Sequence, residues 1–109
     1  MKVAVGAGLE KIIRITDDPP ENSCKPAVDY LFRSVARVYG SKVTAIIMTG
    51  MGSDGKIGMA VLKSSGAVSI AQNAESCVVY GMPKAVIDAD LVDIVSPLKN
   101  IHNEILKTI

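Results

Sequence analysis

Apolar positions along the chain change period several times, and each change marks an element. Val43-Thr44-Ala45-Ile46-Ile47-Met48 is a short apolar run rich in β-branched residues, long enough for a strand covered on both faces. A glycine loop, Thr49-Gly50-Met51-Gly52-Ser53-Asp54-Gly55-Lys56, follows it. Ile57, Met59, Ala60, Val61 and Leu62 then supply the buried face of a predicted helix that Gly66 ends. Ala67-Val68-Ser69-Ile70-Ala71 reads as the next strand. Val43 to Ala71 therefore forms a predicted βαβ unit, with parallel strands and a right-handed crossover.

The flanking segments are less regular. Met1 to Leu9 carries Val3-Ala4-Val5 and fits a strand tip or a frayed end, while Lys11 to Thr16 alternates partly and ends in the turn cluster Asp17 to Asn22. From Ala27, the positions Val28, Leu31, Phe32, Val35, Ala36 and Val38 recur at helical spacing, with Pro26 suited to the first turn and Gly40 to the stop. Downstream, Asn73 is placed to cap a short helix over Ala74 to Val79, and Pro83 to start another through Ala89. Val92 to Val95 reads as a brief strand. A closing helix from near Pro97 carries the stripe Leu98, Ile101, Ile105 and Ile109, with Leu106 beside it. Neither a repeat nor a linker interrupts this order, so residues 1–109 are expected to form a single α/β unit.

Composition narrows the function classes. A chain of 109 residues supports one modest core. Lys and Arg number 12 against 11 Asp and Glu and are scattered, so no electrostatic footprint points to nucleic acid or an anionic membrane. The longest apolar runs fall far short of the roughly 20 residues a membrane span needs, so a soluble protein without membrane insertion is expected. Two unclustered cysteines form neither a disulfide framework nor a metal-ligand pattern. With no signal-like segment at Met1, this favours a reducing, cytoplasmic setting. No metal is expected.

The glycine loop carries the candidate chemistry. Gly50-Met51-Gly52-Ser53-Asp54-Gly55 satisfies G-x-G-x-x-G between a strand and a helix, with Glu75 about twenty residues on, which read literally is a dinucleotide fingerprint. An ionised Asp54 inside such a loop would repel a pyrophosphate. A second reading has Ser53 or Asp54 merely capping the helix that follows. In a third, the helix N-terminal field keeps Asp54 ionised so that it orients a histidine through its N–H. The sequence holds one histidine, His102, placed near the end of the chain in a packing or surface role. Cys24 and Cys77 are expected to behave as small buried hydrophobes, and Met48, Met51, Met59 and Met82 as core filler.

Several segments in order resemble one family. They are Asp18-Pro19-Pro20-Glu21-Asn22, then Lys25 through Ser34, Thr49 through Gly55, Ile70-Ala71-Gln72-Asn73, and Ser76 through Pro83. Together they are similar to the catalytic domain of the chemotaxis protein-glutamate methylesterases, CheB, from about Thr16 onward. The resemblance implies a doubly wound, mainly parallel, Rossmann-like sheet with helices on both faces, of which this sequence matches the C-terminal half. It implies hydrolysis of glutamate methyl esters on the cytoplasmic helices of methylated chemoreceptors, without a cofactor. The family uses a Ser-His-Asp triad; its acid falls on Asp54, and Met51 lies where the family lines the active site near the oxyanion. The family's serine loop and histidine segment have no match here, nor has a receiver domain. The expectations are therefore a chain nearly inactive alone, and either self-association or a partner that supplies the missing half-domain. A non-catalytic receptor-binding or oligomerising module is the alternative, and a nucleotide-binding unit a further one.

Overall fold

The computed structural model describes residues 1–109 and contains five strands and four α-helices. β1 (Lys2–Val5) and β2 (Lys11–Arg14) form an antiparallel hairpin in the register Lys2 to Arg14 and Val5 to Lys11. α1 (Val28–Tyr39) leads to β3 (Thr44–Ile47), α2 (Lys56–Ser64), β4 (Val68–Gln72), α3 (Gly81–Asp88) and β5 (Ile94–Ser96). A 3-10 turn at Leu98–Asn100 runs into α4 (Ile101–Lys107). β3, β4 and β5 form a parallel sheet in that order, so β4 is central and both neighbours are edges. The βαβ unit and the α/β class expected from the hydrophobic pattern are present.

Helices cover both faces of the sheet. Side chains alternate along a strand, which puts Ala45, Ile47 and Ala71 on one face, where they join Met59, Leu62 and Val86 in the main core cluster. Ile70 lies on the other face, where α4 packs against β4 and β5 and buries Ile101. α1 sits farther out and bridges α2 to β1.

Several local expectations are corrected. No helix forms over Ala74 to Val79: Asn73 Oδ1 accepts the Ser76 N–H at 3.1 Å and closes a single turn. The chain then extends so that the Gly50 N–H reaches the Val79 carbonyl at 3.0 Å, a tertiary bond that competes with helix. α3 starts at Gly81, before Pro83, because the Gly50 carbonyl accepts the Gly81 and Met82 N–H groups at 3.0 and 2.9 Å. Proline, lacking an N–H, costs nothing in that first turn. β5 begins at Ile94 rather than Val92, after Asp93 has exchanged hydrogen bonds with Ser69 on β4. Pro26 precedes the N-cap Ala27 rather than entering α1. On α2 the inward face is Gly58, Met59 and Leu62, leaving Ile57 and Val61, four residues apart on one stripe, exposed. The closing stripe is buried at Ile101 alone; Leu98, Leu106 and Ile109 face outward.

Candidate functional site

The loop after β3 is pinned at both ends. Its entry is held by Gln72, buried at the end of β4, whose Oε1 accepts the Thr49 N–H at 2.8 Å while its Nε2 donates to the Ser76 carbonyl at 2.8 Å. Thr49 Oγ1 in turn accepts the Val79 N–H at 2.9 Å and donates to the Val79 carbonyl at 3.1 Å. Contact with the 79–82 segment is close enough that a Cβ on Gly81 would stand 2.8 Å from the Gly50 carbonyl oxygen. At the far end Gly55 adopts φ of 101°, a left-handed conformation that only glycine takes without strain, and turns the chain into α2.

Between these anchors, Met51 projects outward, 84% exposed, while Asp54 turns inward and is 7% exposed. Asp54 does not cap the helix it precedes; Gly55 holds that position without a side-chain bond. Its carboxylate instead closes the N-terminus of α1. Oδ2 accepts the Val28 N–H at 2.7 Å, and Oδ1 accepts the Asp29 N–H at 3.0 Å together with Asn22 Nδ2 at 2.9 Å. The helix field that favours its charge therefore comes from α1, not from the helix that follows it, which corrects the sequence reading. Burial works against ionisation, but the Asp29 and Val28 N–H groups, the Asn22 amide and the Gly55 N–H outweigh it and hold the acid below the usual carboxylate range.

α2 is closed in a complementary way. Asp29, 1% exposed in the first turn of α1, accepts the Gly58 N–H on Oδ1 at 2.7 Å and Asn22 Nδ2 on Oδ2 at 2.8 Å. Each helix is thus capped by an acid outside itself, with one asparagine amide bridging the two carboxylates. Asn22 is aimed there by a tight turn: Glu21 and Cys24 exchange backbone hydrogen bonds, and Asn22 and Ser23 between them take φ of 52° and 61°. Positive φ at both central residues is the two-residue hairpin geometry, which asparagine tolerates. The Arg33 guanidinium grips Glu21 through both carboxylate oxygens, at 2.7 and 2.6 Å, and fixes the turn to α1.

The sequence reading singled out Asp54 and Met51 and missed Asn22, Asp29 and Gln72 as groups that build this corner. Gln72 had a signal, a polar residue ending an apolar strand; Asn22 had none beyond its turn setting. The other candidates lie apart from Asp54. His102 is exposed on α4 and is not among the partners of Asp54. Cys24 is exposed rather than buried, and burial pushes the half-buried Cys77 thiol up, away from the thiolate form a nucleophile needs. Met59 and Met82 pack in or against the core, while Met48, like Met51, is exposed, so two of the four methionines are not filler. Nor is the start of α2 a bare anion cradle, since its Gly58 N–H is taken by Asp29. No group of histidine, cysteine or carboxylate side chains is arranged to hold a metal ion.

Comparison with known proteins gives a consistent result. The model of the CheB methylesterase family matches residues 1–105. A protein-glutamate methylesterase/protein-glutamine glutaminase of Desulfotalea psychrophila is 57% identical over 110 residues, spanning 100% of this chain and 30% of that protein. One from Rhodospirillum rubrum is 48% identical over 101 residues, 93% of this chain and 26% of that protein. The crystal structure of the Thermotoga maritima CheB methylesterase catalytic domain superimposes with a TM-score of 0.94 at 34% identity. It matches 99% of this chain and 57% of that one. The chain thus spans under a third of these curated relatives and a little over half of that catalytic domain.

Proposed function

Because the chain belongs to the CheB methylesterase family, we propose that it forms the acid-bearing part of a protein-glutamate methylesterase site, with Asp54 as the third member of a Ser-His-Asp triad. The observation that carries this reading is the setting of Asp54: a buried carboxylate in the loop that follows β3, oriented by the Val28 and Asp29 N–H groups and the Asn22 amide, which favour its charged form. A triad acid has that task. It holds an imidazole in the right tautomer and stabilises the imidazolium formed when serine gives up its proton to attack the ester carbonyl. Met51, at the tip of the same pinned loop, would border the space in which the tetrahedral oxyanion develops.

Serine and imidazole must come from sequence beyond these 109 residues, whether on the same polypeptide or on another. The substrate class follows the family: glutamate methyl esters on the cytoplasmic helices of chemoreceptors, hydrolysed to carboxylate and methanol. A cytoplasmic protein fits that substrate, and no helix here is long and apolar enough to cross a membrane. We take residues 1–109 as one unit whose open sheet edges and exposed apolar side chains meet a complementary half-domain or a second copy.

The test is reconstitution. The chain alone is expected to release methanol from methylated receptors at a rate near background, and addition of the segment bearing serine and histidine to restore release. Asp54→Asn should then lower kcat by about four orders of magnitude, as loss of the orienting carboxylate does in other triads. Restored activity that survives Asp54→Asn would remove the triad role. The exposed apolar residues Met48, Met51, Val78 and Val79 favour a second reading, a non-catalytic docking module. Its signature is saturable receptor binding, untouched by Asp54→Asn, with no hydrolysis in any combination.

A further inference from the structure

We infer that Asn22 and Asp29 are positioning residues for Asp54: the Asn22 amide and the first turn of α1 set the direction and charge of that carboxylate, while Asp29 ties the same corner to α2. The inference rests on the triad reading for its functional consequence, though not for its electrostatics. Oδ1 of Asp54 already accepts two hydrogen bonds, from Asn22 and Asp29, and Oδ2 accepts one, from Val28. A carboxylate oxygen accommodates two donors. The Gly55 N–H adds a fourth donor to the same carboxylate, so its direction is set by these four groups together.

Two buried carboxylates that share one amide nitrogen repel each other, and the arrangement persists because each also lies at a helix N-terminus. Asp29 is the titratable group facing Asp54 from α1. From α2 the first-turn charge is Lys56, which is exposed, and in the turn that carries Asn22 the charge of Glu21 is matched by Arg33. Removing the amide should thus hurt ionisation of Asp54, whereas neutralising Asp29 should help it. Opposite signs separate this role from simple loosening of the fold, which would act in one direction for both.

The experiment is a carbon-13 carboxyl titration of the 109-residue chain, with the Asp54 signal assigned by its loss in Asp54→Asn. Asn22→Asp keeps the size and the left-handed backbone of Asn22 but substitutes a third carboxylate, and should move the Asp54 midpoint to higher pH. Asn22→Gly, equally tolerant of positive φ, should move it the same way by less, and Asp29→Asn should move it down. An unmoved midpoint in Asn22→Asp overturns the inference, as does an upward move in both Asn22→Asp and Asp29→Asn. In the reconstituted esterase, Asn22→Gly should lower kcat about tenfold with KM unchanged and shift the acid limb of the pH profile upward. A midpoint that moves while this profile stays fixed refutes the triad role of Asp54 and leaves the positioning supported.

Discussion

A carboxylate buried to 7% exposure is unfavourable by itself, and at Asp54 the surrounding donors reverse the balance. The reversal makes stability depend on pH. Because the folded-state pKa is depressed, the stabilisation is fully present above the unfolded value of about 3.9 and is lost as pH falls through the folded value. Asp93 adds to the same limb, held down chiefly by its hydrogen bond from Lys63 and further by Ser69. Asp54→Asn should therefore lower Tm near neutrality, since a single amide oxygen cannot serve all the donors, and flatten the fall of Tm below about pH 4. Calorimetry across that range checks both effects; an unchanged acid slope would mean that Asp54 does not carry it. Gly55 acts beside it through backbone alone. Its φ of 101° and a Cβ position 2.7 Å from Ile47 Cδ1 imply that Gly55→Ala loses about 1–3 kcal/mol, read from denaturant midpoints at constant m.

Among the helices, α1 and α2 are locked as a pair. Their termini are closed crosswise by Asp54 and Asp29, and their axes approach closely because α2 has glycine at position 58. A Cβ there would lie 2.5 Å from Phe32 Cβ and 3.3 Å from the Asp29 carbonyl oxygen. In an exposed helix Gly→Ala gains up to about 1 kcal/mol. Gly58→Ala should do the opposite, forcing α1 away and pulling Asp29 from the Gly58 N–H, with Tm lower by roughly 4–8 °C for each kcal/mol lost. A rise in Tm on thermal melting would show that the helices have room to separate. The same close packing explains why helical periodicity located α2 and its buried Met59 and Leu62 yet misplaced the rest of its inner face: Gly58 carries no hydrophobic signal but marks the point of contact, whereas Ile57 and Val61 carry the signal and face outward.

At the scale of the whole molecule, the accessible surface is 6451 Å² for 11.5 kDa. A monomeric protein of that mass exposes about 5800 Å². The radius of gyration, 13.9 Å, likewise exceeds the roughly 13 Å expected for this length. The excess has visible sources. Both β3 and β5 are open edges, and Val5, Leu9, Ile13 and Ile15 stand exposed on or beside the hairpin. Such edges and side chains favour association. Sedimentation of the isolated chain at tens of micromolar should give a mass above 11.5 kDa that falls on dilution or on addition of the complementary half-domain. A concentration-independent monomer would exclude self-association.

By itself the sequence determined the α/β class, the βαβ unit from Val43 to Ala71, the family, and the loop worth inspecting, because these depend on local periodicity, turn chemistry and ordered motifs. It selected Asp54 but misjudged which helix holds it. Residues 22, 29 and 54 come together only when α1 folds across the start of α2, and no local pattern encodes that meeting. For the same reason the lack of helix at Val79 and the early start of α3 escaped a linear reading: the backbone donors and acceptors that decide them belong to the loop after β3, some thirty residues away. Tertiary hydrogen bonding decided where those segments begin and end, since a buried backbone group takes the partner that the fold places beside it.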